Sequence, residues 1–379
     1  AELICSDHKP VMAMFKVNAL VTLPRKQIDA FRENLIRKLD EYENEHIPQV
    51  SLSKNTIDLG NVMFDVPSTA TLTVTNTGKA MAEYHFVAMP TPQAHDGASA
   101  PAIKPWLKVE PETYLLVPGA SKELSVTAHI TKEFAQKFNT GAETIENILI
   151  LQLRAGTRRR TRQRQTTMAK SQFIAVNGSY LPSCFGCSLK YLSTAGNPVR
   201  SEKLNTLPVH HAYKVPKELW RMVDHLYRRG GLYEVDLFVT EGDPHQIADI
   251  IEALDTGAEF ERSLSLHSMA ETLIRFLQNL CEPVFPAAIL GQLEQHWGSI
   301  ARDQLHAFCI KALRQLEPQQ YRVFVYMVSF IREMLKHSEH NRLSVDLLVP
   351  VFSKCLFEEG RSSRAREALR HYLSAENFK

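Results

Sequence analysis

The chain has 379 residues, 44% of them hydrophobic and 23% charged, with a formal net charge of +2 and six cysteines. This is ordinary globular composition for two or three domains, and near-neutrality excludes a general electrostatic pull toward nucleic acid or membrane. No apolar run approaches the roughly 18 residues of a spanning helix, and the scattered cysteines suit a reducing compartment, so a cytoplasmic protein is expected.

The first residues carry Glu2, Asp7, His8 and Lys9 in place of an apolar leader. Within them SDHKPV resembles the closing motif of inositol polyphosphate 5-phosphatases, in which the Asp-His pair belongs to the catalytic site. Asp7 and His8 would be those residues, and 1–16 would be the end of such a domain. The rest of its ligands would lie upstream, so no catalysis is expected from this remnant. From Pro24 to His46 the spacing predicts a helix, with Pro24 suited to the first turn. Ile28, Phe31, Leu35, Leu39 and Tyr42 form one apolar stripe, and residues 17–47 read as a linker helix whose stripe packs on a neighbouring domain.

Between 48 and 182 the apolar period changes to two. Ala70 to Thr75 alternates and stops at the turn signal Asn76-Thr77-Gly78; Tyr84, Phe86 and Ala88 alternate next. Leu124, Val126, Ala128 and Ile130 follow Val117-Pro118-Gly119, and further strands are expected at Ile148 to Leu153 and Phe173 to Val176. Short strands separated by turn residues predict an antiparallel, Ig-like sandwich. The segments LGNVMFD, TLTVTNTG and YHFVAM resemble an ASH domain, the sandwich related to major sperm protein.

One stretch inside it is chemically distinct. RAGTRRRTRQR, from Arg154 to Arg164, holds six arginines and no acid, and reads as a long hairpin loop. A solvated loop is the plainer reading. The sharper one is an anionic contact through Arg158, Arg159, Arg160, Arg162 and Arg164, at ~1 kcal/mol per basic residue near a charged membrane. No aromatic residues interleave, which argues against nucleic acid.

Residues 183–214 are expected to link this half to a helical one. The joint GSYLPSCFG, Gly178 to Gly186, resembles that of type II inositol polyphosphate 5-phosphatases, the family of the Lowe oculocerebrorenal syndrome phosphatase. Cys184 and Cys187 in it form a CxxC pair with the adjacent His210-His211 far behind. Adjacent histidines are poor geometry for two ligands of one ion, so structural thiols at a domain joint are favoured over a metal site.

From 215 to 379 the pattern is helical, with helices expected near 244–254, 267–280, 286–297, 301–316, 318–337, 341–357 and 361–375. Tyr321 to Ile331, apolar nearly all round, predicts a central buried helix. At its start, VPKELWRMVDHLYRRGG is a helix ended by two glycines, followed by the turn LFVTEG. That order, with LQNLCEPV and Asn341-Arg342-Leu343 downstream, resembles a RhoGAP module. An active module carries an arginine finger in this turn, worth about 10³–10⁵ in rate, or roughly 4–7 kcal/mol. Val239 stands there instead, and the family's supporting Lys, Arg and Asn fall on Ile274, Gln278 and Leu347.

The whole chain thus resembles the C-terminal part of a type II 5-phosphatase: an all-β ASH sandwich, then an all-α, RhoGAP-like bundle without its catalytic groups. The resemblance implies Rab GTPase binding through the sandwich's edge strand together with the preceding linker helix. Phe173 would be the central contact there, with Ala175 on the same face and Gln172 beside it, while Ile174 and Val176 face the core. It also implies adaptors with Phe-and-His motifs docking at Trp220, with Leu219 and Val223 beside it. Rac- and Cdc42-type GTPases are a further class of partner, and endosomal and Golgi membranes the expected destination. No cofactor, metal or nucleic acid is expected. Two alternatives stay open: an active RhoGAP in which Arg228 or Arg229 replaces the finger, and a purely structural spacer. On residues alone, Phe173 and Trp220 could equally be core side chains.

Overall fold

The structure, a computed structural model, describes residues 12–18, 24–88, 102–154, 171–195, 197–200, 215–297, 302–358 and 362–374. Asp7, His8, the five arginines of the basic loop, and His210 and His211 lie outside them. The first element is the helix α1, Arg25–His46. Its stripe is not covered: Phe31 is 66% exposed, and Leu35, Leu39 and Tyr42 also face outward. The expected packing on a neighbouring domain is therefore absent among the described residues.

Among the described residues nine strands follow, β1 (Val50–Leu52), β2 (Thr56–Val62), β3 (Ser68–Asn76), β4 (Ala82–Val87), β5 (Leu107–Glu110), β6 (Thr113–Leu116), β7 (Ser121–Ala128), β8 (Glu146–Arg154) and β9 (Ser171–Tyr180). The helix α2, Lys132–Asn139, lies between β7 and β8. One sheet has the order β1-β3-β7-β5 and the other β2-β9-β8-β4-β6. Inward residues alternate along each strand, so Leu72 and Val74 of β3 meet Leu149 and Leu151 of β8 and Ile174 and Val176 of β9 in one core. The predicted turn after β3 has a clear cause. Buried Asn76 donates from Nδ2 to the carbonyls of Ala80 and Leu116, at 2.8 and 2.9 Å, and its Oδ1 accepts from the Gly78 amide. The side chain thereby satisfies backbone groups that the turn would strand.

β9 does not lie at the edge of its sheet, as expected, but inside it. β2 pairs with it in parallel from Thr56–Ala175 to Val62–Tyr180, and β8 pairs antiparallel on its other side. The chain crosses between sheets after β1, and β2 then supplies hydrogen-bond partners that β9 would otherwise lack. Only Ser171 to Ile174 reach past the start of β2.

The helical half comprises α3 (Leu189–Thr194), α4 (Lys217–Arg228), α5 (Pro244–Thr256), α6 (Leu266–Gln278), α7 (Ala287–Trp297), α8 (Arg302–Leu313), α9 (Pro318–Leu335), α10 (Ser338–Asn341), α11 (Val345–Leu356) and α12 (Ser363–Ser374). α9 contributes Val323, Phe324, Met327, Val328 and Ile331 to the core, although Tyr321 and Arg322 of the same apolar run are exposed. The stretch expected as a linker is not one in its described part. Cys184, Phe185, Cys187, Leu189, Leu192 and Val199 are buried in the same cluster as the bundle helices.

Candidate partner-binding sites

The turn after α4 is built to present one side chain. Gly230, with φ of 79°, ends the helix in the left-handed region that glycine adopts without strain. Asp236 and Phe238, at φ of 54° and 69°, then fold the loop tightly although neither is glycine. Such strain persists where surroundings hold it. Phe238 is buried, edge-on to Phe352 at 5.0 Å and near Phe330 at 6.2 Å. The Asp236 amide donates to the Asn341 carbonyl at 3.0 Å. Asn341 is itself fully buried: Nδ2 donates to the carbonyls of Leu232 (2.9 Å) and Met334 (2.8 Å), and Oδ1 accepts from the Leu343 amide (2.9 Å). At the far end the Gly242 amide donates to Glu271 Oε2 of α6 at 2.7 Å. A Cβ at Gly242 would lie 2.5 Å from the Ser268 Cα, so only glycine fits.

With both neighbours anchored, Val239 is turned outward and 47% exposed. Of the three supporting positions, Ile274 is half-buried on α6, Gln278 is exposed at its end, and Leu347 is exposed on α11. None carries a charge. Three arginines near this turn are already engaged. Arg228 pairs with Asp224 at 2.9 Å, Arg229 donates to the Arg262 carbonyl at 2.6 Å, and Arg275 pairs with Glu271 at 2.6 Å. The arrangement can present a surface; it places no guanidinium at its tip.

Trp220 lies on the outer face of α4 and is 49% exposed, which excludes the core reading. Leu219 and Val223 are buried in the bundle core, which corrects the expectation that they touch a partner: α4 turns Leu219, Val223 and Leu226 inward and Trp220 outward. α4 is also fixed at its start. Burial pushes the Glu218 carboxyl above its ordinary range, while Lys217, 3.7 Å away, pulls it the other way. On the sandwich, Phe173 is 58% exposed and Ile174 and Val176 are fully buried, on opposite faces as alternation requires and with Phe173 outward as the resemblance implied; Ala175 is half-buried on the outer face. Gln172 is half-buried and donates to the Val50 carbonyl at 3.4 Å, tying β9 to the other sheet. The Phe173 and Trp220 surfaces belong to different halves of the chain.

Sequence reasoning singled out Asn341 only as part of a motif. Its role in holding the turn, and that of Glu271, needed the packing of α6 and α10 around it. The one local signal was Gly242, the glycine closing the turn.

Residues 52–160 match the family described as inositol polyphosphate 5-phosphatase OCRL-like, ASH domain, and residues 216–361 match the RhoGAP domain. The chain joins an OCRL-like ASH domain to a RhoGAP domain. It is 30% identical over 369 residues to the mouse type II inositol 1,4,5-trisphosphate 5-phosphatase, across 93% of this chain and 34% of that protein. The chain thus spans about a third of that relative. Mouse Rho GTPase-activating protein 22 is 28% identical over 153 residues, 38% of this chain and 22% of its own length. The crystal structure of human Rho GTPase activating protein 15 aligns at a TM-score of 0.43 with 16% identity, covering 51% of this chain and 89% of that one.

Proposed function

We propose that this ASH–RhoGAP region is a non-catalytic targeting unit of an inositol polyphosphate 5-phosphatase. The sandwich docks a Rab GTPase beside Phe173, the bundle docks Phe-and-His adaptors at Trp220, and its turn face receives Rho-family GTPases without accelerating hydrolysis. Together these contacts bring the phosphatase to endosomal and Golgi membranes. The observation that carries the reading is Val239. An exposed aliphatic side chain stands where a cation would have to meet the developing charge on the transferring phosphoryl group, and valine supplies none.

Single-turnover GTP hydrolysis by Rac and Cdc42 tests it. The chain is expected to leave the rate within about tenfold of the intrinsic one, where a working finger gives about 10³–10⁵. Stimulation of about a thousandfold, lost on changing Arg228 and Arg229 to alanine, would establish the active-GAP alternative. For the sandwich, Phe173→Ala is expected to weaken binding of a GTP-loaded Rab by about tenfold or more, as for a central aromatic anchor. Full retention of affinity removes Phe173 from the interface.

A further inference from the structure

Two thiols meet on one face of α2, at the seam between the sandwich and the bundle. Cys187 is buried; its Sγ accepts from Asn139 Nδ2 at 3.3 Å and donates to the Ser183 carbonyl at 3.3 Å. Cys281 is exposed, and its Sγ donates to Gln136 Oε1. Gln136 and Asn139 are three residues apart on α2, a spacing that puts their side chains next to each other, about 5–6 Å between Cβ atoms. A second observation brings the same cysteines together. The Cys281 amide donates to the Cys187 carbonyl at 3.1 Å, so the two backbones run side by side. The Leu189 amide donates to Glu282 Oε1 at 2.8 Å just beyond, which holds the two segments in that register. The Cys281–Cys187 backbone bond makes the two residues direct backbone neighbours, and a disulfide asks for such proximity, with Cα atoms roughly 4.4–6.8 Å apart. Neither thiol serves the Val239, Trp220 or Phe173 surfaces.

We propose that Cys187 and Cys281 form a reversible disulfide that loosens the seam between the sandwich and the helical bundle. The oxidant is a small-molecule disulfide of the glutathione type. Exposed Cys281 loses its proton and its thiolate attacks one sulfur of the oxidant; a mixed disulfide forms and one glutathione thiolate leaves. Cys187 then loses its proton and attacks Sγ of Cys281, expelling the second glutathione. The protein gives up two hydrogens, and one glutathione disulfide becomes two glutathiones. Burial raises the Cys281 thiol above its usual range and pushes Cys187 up to about 12, so attack is slow near neutrality and quickens as pH rises. Once linked, Cys281 has no proton for Gln136 and Cys187 none for Ser183. The thiol contact that ties Cys281 of the bundle to α2 of the sandwich is thereby lost.

The test uses the full chain in glutathione redox buffers from neutral to mildly alkaline pH, with peptide mapping by mass spectrometry and hydrogen exchange on the same samples. A Cys187–Cys281 cross-link is expected, forming faster at higher pH, reversed by dithiothreitol, and absent in Cys281→Ser and in Cys187→Ala. Amides of α2 are expected to exchange about tenfold faster in the oxidised form. A glutathione adduct resting on Cys281 alone, a Cys184–Cys187 link, or no oxidation at all would overturn the pairing. A cross-link that leaves α2 exchange unchanged would overturn the loosening.

Discussion

Val239 and Asn341 show how an uncharged, exposed side chain can sit on a firmly held turn. The loop around Val239 has two strained backbone positions, a buried Phe238 and a bridge to Asn341, which together hold it in place. Supplying a charge there is not enough. Val239→Arg is expected to raise GTP hydrolysis by less than about tenfold, far below a working finger, because Ile274, Gln278 and Leu347 supply no polar or charged group at the family's supporting positions except the exposed Gln278 amide. A gain of about a thousandfold in a single-turnover assay would show that charge alone was missing. Asn341→Ala, by contrast, strands the Leu232 and Met334 carbonyls and the Leu343 amide inside the bundle. Each unsatisfied buried group costs about 1–3 kcal/mol, so urea unfolding should show a loss of at least about 2 kcal/mol. A loss under about 0.5 kcal/mol, the level of an ordinary surface change, would mean the loop does not depend on it.

Helices are held at their ends by groups that the sequence announces. Asp243 caps α5, its Oδ1 accepting from the His245 amide at 2.8 Å and the Gln246 amide at 3.4 Å, with Pro244 next and Gly257 closing the far end at φ of 81°. Asp243→Ala should cost about 1 kcal/mol, read as a lower thermal midpoint by circular dichroism. An unchanged midpoint would place the helix's stability in its packing alone. Strands are less legible. Period two put Ile174 and Val176 on the face opposite Phe173, because alternation is a property of one strand; the resemblance chose which face points out. Which strand lies beside it depends on where the chain returns, and the crossover that lays β2 along β9 leaves no mark in residues 171–180. The same limit applies to α1. Its stripe is visible in the sequence, but whether anything covers it depends on neighbours.

The two halves meet through a tight seam. The Gly186 amide donates to the Asn279 carbonyl at 2.7 Å, Asn139 Oδ1 accepts from the Ser183 amide at 2.9 Å, and the Phe64 and Phe185 rings lie 5.9 Å apart. Asp255, fully buried, accepts from the Cys184 amide at 2.7 Å and from Arg200 at 3.2 Å. A Cβ on Gly186 would fall 2.3 Å from the Ala135 Cβ, at a φ of 72°. Gly186→Ala should therefore force α2 away from the joint and cost about 1–3 kcal/mol by overpacking. Calorimetry is expected to show the sandwich and bundle unfolding in separate steps. A single unshifted transition would show that the halves are coupled elsewhere.

Periodicity, turn residues and caps are local properties, so the sequence by itself determined that a β-sandwich precedes a helical bundle, roughly where each element begins, and that position 239 carries no charge. What touches what is set by residues far apart in the chain. Only the tertiary structure decided that β9 lies inside its sheet, that the α1 stripe is exposed, and that Cys187 and Cys281 share one face of α2. Each of those outcomes depends on how separate elements pack, and no window of neighbouring residues contains that information.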